Sequence, residues 1–297
     1  MVTKPRSKLG AKSTSSRVGT SVAFQGVLGA YSEQAARLFF ARKGLTVVPR
    51  DDFAAVFSAV SDGDVDFGVL PVENSLTGSI HQNYDLILGY PVQIVGEVKL
   101  PVAHSLLAVP GAKLGSIKEV YSHPQALAQC AHFLRVKLRQ AAVIPYFDTA
   151  GSARFVAASG RLDIAAIASE AAGERYQLTT LKAGIQDHQA NFTRFLVIQR
   201  QGRVSPKFKP SAQGQKTSVV FSLKNAQGAL YRSLSAFSVR DIDLLKIESR
   251  PIPGRPWHYM FYLDFVQPKD PEIARRALGH LAEMTDVLKV LGTYTPG

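Results

Sequence analysis

The stretch SVAFQGVLGAYSEQAARLFFARKGLTVVP, residues 21–49, decides the fold class. SVAFQG is an apolar run of strand length ending at a glycine. SEQAARLFFARKG is a helical pattern closed by Gly44, and LTVVP is a second, β-branched run. Strand, helix and strand in so short a span read as a βαβ unit, two parallel strands with a covering helix.

Working outward, the rhythm repeats. DFAAVFSAVSDGD, SIHQNYDLIL, QALAQCAHFLRVKL, the segment from Thr149 and EAAGERY read as helices. DFGVLPV, VQIVGEVKL, AHSLLAV, EVYSHP, AAVIPYF and DIAAIAS read as strands. The alternation predicts α/β architecture in two lobes, residues 21–100 and 101–200, with FTRFLVIQR returning to the first lobe. QGRVSPKFKPSAQGQK, residues 201–216, mixes Pro, Gly, Ser and Lys without apolar periodicity and reads as a linker that few contacts cross. Beyond it, residues 217–295 read βαββαβ, a small ferredoxin-like unit.

Bulk composition narrows the function classes. The chain has 297 residues, 46% hydrophobic and 20% charged, as in ordinary globular proteins. No apolar run approaches the roughly 18–20 residues of a membrane helix. The one cysteine, Cys130, excludes an intrachain disulfide and sits in a core-like pattern. The net charge is +12, but residues 1–20 hold Lys4, Arg6, Lys8, Lys12 and Arg17 and no acid. Without those five, 30 basic groups face 23 acidic ones, a net +7. The leader reads as a disordered basic tail, which fits a cytoplasmic protein, or as a transit peptide for plastid import. The remaining excess forms no basic stripe with interleaved aromatics, so nucleic acid is not the expected partner. It predicts instead a positively charged cleft for a small anion.

Strand-to-helix turns are where α/β lobes bind ligands. FQGVLGAYSEQ offers Gly26 and Gly29 with Ser32 as N-cap, but it is neither a dinucleotide fingerprint nor a P-loop. PVENSLTGSIHQN brings Glu73, Asn74 and Ser75 out of a buried strand, with Gly78 and Ser79 opening a helix. YSHPQALAQC supplies Ser122 or His123 as cap, with Gln129 further along. FDTAGSA supplies Asp148, Thr149 and Ser152. Singly each is an ordinary cap. Together they surround one cleft with hydroxyls and amides. NFTRF, residues 191–195, puts Asn191, Thr193 and Arg194 at the mouth of a buried strand, either as strand decoration or as a cleft rim. No HExxH, paired-His spacing or G-x-S-x-G is present, so neither metal nor cofactor is expected. Such a site suits a solute-binding protein, or a reaction in which the substrate fragments once a leaving oxygen is assisted.

Taken together, NFTRF, YSHPQALAQC, PVENSLTGSI and ESRPIPGRPWHYMFYLDF resemble the prephenate dehydratase family of phenylalanine biosynthesis, over about residues 21–295. The resemblance implies a two-lobed catalytic domain like type II periplasmic binding proteins, followed by an ACT regulatory domain. It implies decarboxylating dehydration of prephenate to phenylpyruvate. Thr193, Ser122, Asn74 and Gln129 match catalytic positions, and Glu73, Arg194, Ser79, Thr149 and Asn191 are candidate substrate contacts. Arg194 has two candidate partners, a substrate carboxylate or one on a neighbouring lobe. Gly228, Ala229 and Leu230, with Glu248, Ser249, Arg250 and Pro251, match the phenylalanine site, which implies feedback inhibition and a homodimer or homotetramer. Two alternatives stay open: an arogenate dehydratase, and a catalytically silent sensor of aromatic acids.

Overall fold

The computed structural model describes residues 19–41, 44–203, 214–223, 226–252 and 254–297. The basic leader up to residue 18 and the linker core, 204–213, lie outside the described residues.

The first lobe runs β1 (Thr20–Gln25), α1 (Tyr31–Phe40), β2 (Leu45–Arg50), α2 (Phe53–Asp62), β3 (Phe67–Asn74), β4 (Gly78–Ser79), α3 (His81–Gly89) and β5 (Val92–Pro101). The second runs β6 (Ser105–Ala108), β7 (Glu119–Ser122), α4 (Pro124–Gln129), α5 (Ala131–Lys137), β8 (Ala142–Pro145), α6 (Thr149–Ser159), β9 (Ile164–Ala168), α7 (Glu170–Arg175) and β10 (Thr179–Lys182). Then β11 (Phe192–Arg200) returns to the first sheet, whose order is β2-β1-β3-β11-β5 with β4 on β3. The second sheet is β10-β6-β9-β7-β8. The opening βαβ is real: β1 pairs parallel with both β2 and β3.

Local chemistry explains the boundaries. Asp52 caps α2 by accepting from the Ala55 amide, and Gly63 ends it in the left-handed conformation. Three local expectations fail. Ala30, not Ser32, is the N-cap of α1. Gly78 and Ser79 pair with β3 as a strand instead of opening α3. The helix expected over QALAQCAHFLRVKL breaks at Cys130, because the Gln129 carbonyl turns out to accept from the Asp187 amide at 2.7 Å and the Asp187 carboxylate takes the His132 amide.

The last segment is β12 (Lys216–Leu223), α8 (Ala229–Ser238), β13 (Leu244–Ile252), β14 (Arg255–Val266), α9 (Pro271–Met284) and β15 (Thr285–Tyr294). Its antiparallel sheet is ordered β13-β14-β12-β15. Alternation divides it cleanly. Val219, Phe221, Leu263 and Phe265 pack under α8 and α9. Val220, Tyr262, Leu291 and Tyr294 join Tyr84, Ile87, Ile94 and Leu196 of the first lobe in one core.

The expectation that few contacts cross the linker therefore fails. A β-carbon on Gly292 would collide with the Ile94 carbonyl, so β15 lies directly on β5. Charges seal the same seam. Arg194 donates to Asp264 at 2.9 Å and Glu97 at 3.3 Å, pairs with Glu73 at 2.9 Å and reaches the Tyr84 hydroxyl at 3.0 Å. Lys216 pairs with Glu97 and, at 3.3 Å, with Asp264. Lys246 bonds Glu73 and Glu248, both at 2.9 Å. Burial alone would raise the carboxyl of Asp264, but Lys216, Arg194 and Ser218 outweigh it and hold its pKa below the usual range.

Two outcomes follow from this seam. A chain ending at residue 203 exposes the Tyr84–Ile94 surface, takes Asp264 from Arg194 and Lys216 from Glu97, and costs about 1.5–3 kcal/mol for each apolar side chain uncovered. It should melt well below the full chain or aggregate. A shortened chain with an unchanged midpoint in thermal denaturation would show the seam to be dispensable.

The second outcome concerns acid. Asp264 has a folded pKa below its unfolded value, so its contribution is complete above the ordinary carboxylate range near pH ~4 and is lost as pH falls through the folded pKa. Asp264→Asn should destabilise at pH 7 by about 3–5 kcal/mol, the scale for breaking a buried pair. It should also flatten the acid limb of stability against pH. Parallel acid limbs in urea denaturation of the two proteins would remove Asp264 from the account.

Candidate active site

A cavity of about 190 Å³ lies between the two lobes. Its walls include Gly26 and Ala30 from the β1–α1 turn, Tyr31 and Ser32 from the start of α1, Pro71 and Asn74 from β3, and Thr193 and Phe195 from β11. The second lobe contributes His104, His123, Gln125, Gln129, Asp148 and Thr149. The lobes touch around it: Gln125 donates to Thr77 at 2.6 Å, Tyr176 to the Leu28 carbonyl at 2.6 Å, and Gln34 to Ser169 at 3.0 Å.

The pairing of β3 with β11 builds the working face. Thr193 lies opposite Asn74 and Arg194 opposite Glu73. A register shift follows between Arg194 and Phe195, where Glu73 is succeeded by Pro71. This bulge changes the parity of β3, so Pro71 and Asn74, three residues apart, both line the cavity. Arg194 and Glu73 point the other way, into the seam with the C-terminal sheet.

Asn74 is buried, and its orientation is fixed by the backbone. Its Oδ1 accepts from the amides of Leu76 and Thr77 at 3.1 and 3.2 Å. Nδ2 is thus the end that faces Thr193, donating to Oγ1 at 3.0 Å and to Asn191 Oδ1 at 2.7 Å. Asn191, fully buried, passes the polarity on by donating to Gln129 Oε1 at 3.1 Å. Gln129 Oε1 also lies 2.9 Å from His104 Nε2, so that nitrogen carries the proton. The chain of bonds leaves two donors on the cavity. One is Gln129 Nε2. The other is the Thr193 hydroxyl, whose oxygen is already an acceptor and whose proton is free.

His104 is 2% exposed, and burial lowers its pKa, so the imidazole is neutral. Its Nδ1 lies 3.2 Å from the Tyr31 hydroxyl, which donates to the Ala103 carbonyl at 2.5 Å. At the mouth of α1, Ala30 has no side chain to accept from the first-turn amides; the buried Glu33 of that turn accepts from the Gly29 amide at 2.6 Å and is neutralised by Arg37, so the end of the helix can still take an anion. No Lys or Arg lines the cavity among the described residues. The positively charged cleft expected from composition is not there: the cations are spent in ion pairs at the seam, as Arg194, Lys216 and Lys246 show.

The residues singled out from the sequence thus divide. Thr193, Asn74, Gln129 and Thr149 line the cavity, and Asn191 sits one bond behind it. Ser122 does not reach it: fully buried, it donates to the Ile167 carbonyl at 2.6 Å and ties β7 to β9. Glu73, Arg194 and Ser79 belong to the seam, Ser79 donating to Glu248 at 2.5 Å. Of the two partners open for Arg194, the structure supplies carboxylates of the protein itself. Glu248 and Arg250 also face the first lobe, Arg250 bonding Asp85 at 2.9 Å, while Gly228 is the left-handed cap of α8 with Ala229 and Leu230 in its first turn. Ser249 and Pro251 are exposed on the outer side of β13. Sequence reasoning missed Tyr31 and His104, which meet only when the lobes pack. The polar His before the apolar run SLLAV was the one available signal for His104.

Residues 22–203 match the family profile described as prephenate dehydratase. The chain is 45% identical over 287 residues to arogenate dehydratase/prephenate dehydratase 6, chloroplastic, of Arabidopsis thaliana, covering 92% of this chain and 68% of that protein. A solved prephenate dehydratase from Arthrobacter aurescens in complex with L-Phe superposes with a TM-score of 0.83 at 28% identity, covering 93% of this chain and 90% of that one. A structure described as GqqA, a novel type of quorum quenching acylase, superposes with a TM-score of 0.82 at 33% identity, covering 93% and 98%.

Proposed function

The chain belongs to the prephenate dehydratase family, and on that premise we propose that it converts prephenate to phenylpyruvate, carbon dioxide and water under feedback control by phenylalanine. In this reaction the bond to the ring carboxylate breaks, its electron pair enters the ring, and the ring hydroxyl leaves as aromaticity forms, taking one proton from solvent to become water. The protein's task is to hold two carboxylates and assist one departing oxygen. The observation that carries the reading is the Thr193 hydroxyl on the cavity wall, whose oxygen accepts from Asn74 and whose proton is left for a ligand. A weakly acidic hydroxyl held rigidly in this way stabilises charge growing on the leaving oxygen without itself being consumed. Gln129 supplies a second donor, and the α1 terminus favours a substrate carboxylate. Phe195, Ile80 and Val102 give the ring an apolar wall.

The similarity to an acylase is not matched by the site. Acyl transfer by a hydroxyl calls for a hydroxyl–base pair. Among the described residues, no Ser or Thr lining the cavity is hydrogen-bonded to a histidine. A silent sensor would have no use for the Thr193–Asn74 arrangement. Arogenate remains the rival substrate, and the Arabidopsis relative is described for both activities. That relative is also described as chloroplastic, which supports the plastid reading of the leader over the cytoplasmic one. Among the described residues no helix is long and apolar enough to cross a membrane.

Residues 217–295 are proposed as the ACT domain, with phenylalanine held by Gly228–Leu230 and Glu248–Pro251 between subunits. The exposed side of edge strand β13 supports an assembly of two or four chains, since Leu245 and Ile247 there are left uncovered, as is Leu230 of α8.

Thr193→Val keeps shape and removes the donor. It should lower kcat by about 10²–10³ with little change in KM, the form expected when a transition-state contact is lost. Rates on prephenate within about threefold of the unmodified protein would take Thr193 out of the chemistry. Phenylalanine should lower initial rates, and Gly228→Val, which forces a β-branched residue into φ 71°, should shift the inhibition curve to higher phenylalanine. An unshifted curve in that variant would move the regulatory site away from α8.

A further inference from the structure

Asp148 is the one acidic side chain among the described residues that line the cavity, and no Lys or Arg lines it. It caps α6 through Oδ1, which accepts from the Gly151 amide. Its Oδ2 is buried and has no partner at full hydrogen-bond geometry, the Val27 amide of the first lobe acting on the carboxylate only weakly. Across the cleft that oxygen faces the Gly26 turn of the first lobe, where a β-carbon would sit 3.4 Å away. No ion pair joins Asp148 among the described residues: His123 and Arg154 act on it at longer range. Burial outweighs both, together with the Gly151 and Val27 amides, and raises its pKa. Burial also lowers the pKa of His123, so the neighbouring imidazole is a poor counter-ion.

A carboxylate in this state lacks a cation. Capping alone does not require it, because Asn or Ser caps a helix as well as Asp without bringing a charge into the cleft. Resting on the dehydratase reading, we infer that Asp148 is a specificity-determining residue that receives the side-chain ammonium of arogenate, and so sets how well the cavity takes the amino acid beside the keto acid prephenate. The two substrates share the ring, the ring hydroxyl and both carboxylates. They differ where arogenate has an ammonium and prephenate a keto oxygen. The ammonium can donate to Oδ2 and neutralise it. A keto oxygen has no proton to offer and brings a dianion into a cavity whose only charged wall is negative. Arogenate, with one positive group against two negative ones, enters with the smaller uncompensated charge. Its carboxylates can turn toward the α1 terminus while the ammonium turns toward α6, which gives the side chain one orientation between the lobes.

The test uses the full chain and both substrates, with product identified as phenylalanine or phenylpyruvate. The readout is the ratio of kcat/KM for arogenate to that for prephenate in the unmodified protein, Asp148→Asn and Asp148→Ser. Both replacements keep an N-cap, so a loss of fold in one is controlled by the other, and thermal melts are recorded alongside. We expect the ratio to fall by about 30-fold or more in each variant through the KM for arogenate, the scale of losing one partner of a buried charge pair. A role in capping alone would reduce turnover of both substrates together and leave the ratio unmoved, which overturns the inference while the dehydratase reading stands. Turnover of neither substrate by the well-folded protein would overturn the dehydratase reading itself and this inference with it.

Discussion

Everything in this structure turns on the pairing of β3 with β11. At one position of the ladder Asn74 faces Thr193, and at the next Glu73 faces Arg194. Strand geometry sends successive side chains to opposite faces. One step of the ladder therefore serves the cavity and the next serves the seam with the C-terminal sheet. A slip of one residue would exchange them, putting the guanidinium into the cavity and the hydroxyl into the ion cluster. The cluster itself opposes such a slip. Burial disfavours the charge on Arg194, but Tyr84, Asp264 and Glu97 outweigh it and hold its pKa up, so the group stays charged and needs its carboxylates. Those carboxylates come from β3, β5 and β14, so only one register satisfies all of them.

Charge is thereby sorted by location. The seam holds alternating cations and anions, several of them buried, while the cavity is lined by amides, hydroxyls, neutral imidazoles and a single acid. A buried ion pair adds little net stability over a well-packed apolar contact, but removing one member is costly. A seam of this kind gives up specificity of docking only when it is broken outright. The cavity follows the opposite logic. Fixed dipoles there can stabilise charge that appears during reaction without first attracting a mobile counter-ion.

The fold was legible in the sequence wherever periodicity and punctuation agreed. Residues 21–49 formed the βαβ unit with parallel pairing, and FTRFLVIQR rejoined the first sheet as read. The helix expected over QALAQCAHFLRVKL was not legible as two, because its break at Cys130 depends on Asp187, far along the chain. The site was legible as a set of residues and less so as an arrangement. Thr193, Asn74 and Gln129 reach the cavity, but Glu73 and Arg194, adjacent to two of them, face away, and only the register and the bulge near Pro71 decide that. Composition misled on the cleft's charge. A count of Lys and Arg carries no information on which of them are paired, and here Arg194, Lys216 and Lys246 are absorbed by the seam.

The same ladder makes the C-terminal sheet part of the catalytic lobes' mechanics. On β13, Lys246 and Glu248 share partners with β3 and β4: Lys246 bonds Glu73 and the Ser79 hydroxyl, and Glu248 bonds Ser79 and pairs with His81. Arg250, two residues on, holds Asp85 of α3. Alternation puts these three on the inner side of the strand and leaves Ile247, Ser249 and Pro251 on the outer side, exposed. A ligand bound to the outer side cannot touch the cavity. It can act only by changing how β13 sits, which changes where Lys246 and Glu248 hold Glu73 and Ser79. Glu73 precedes Asn74 on β3, and Asn74 orients Thr193. The path from strand edge to the Thr193 hydroxyl thus runs through ion pairs and one backbone step. The coupling it can carry is limited to the free-energy difference the ligand makes between two positions of that strand.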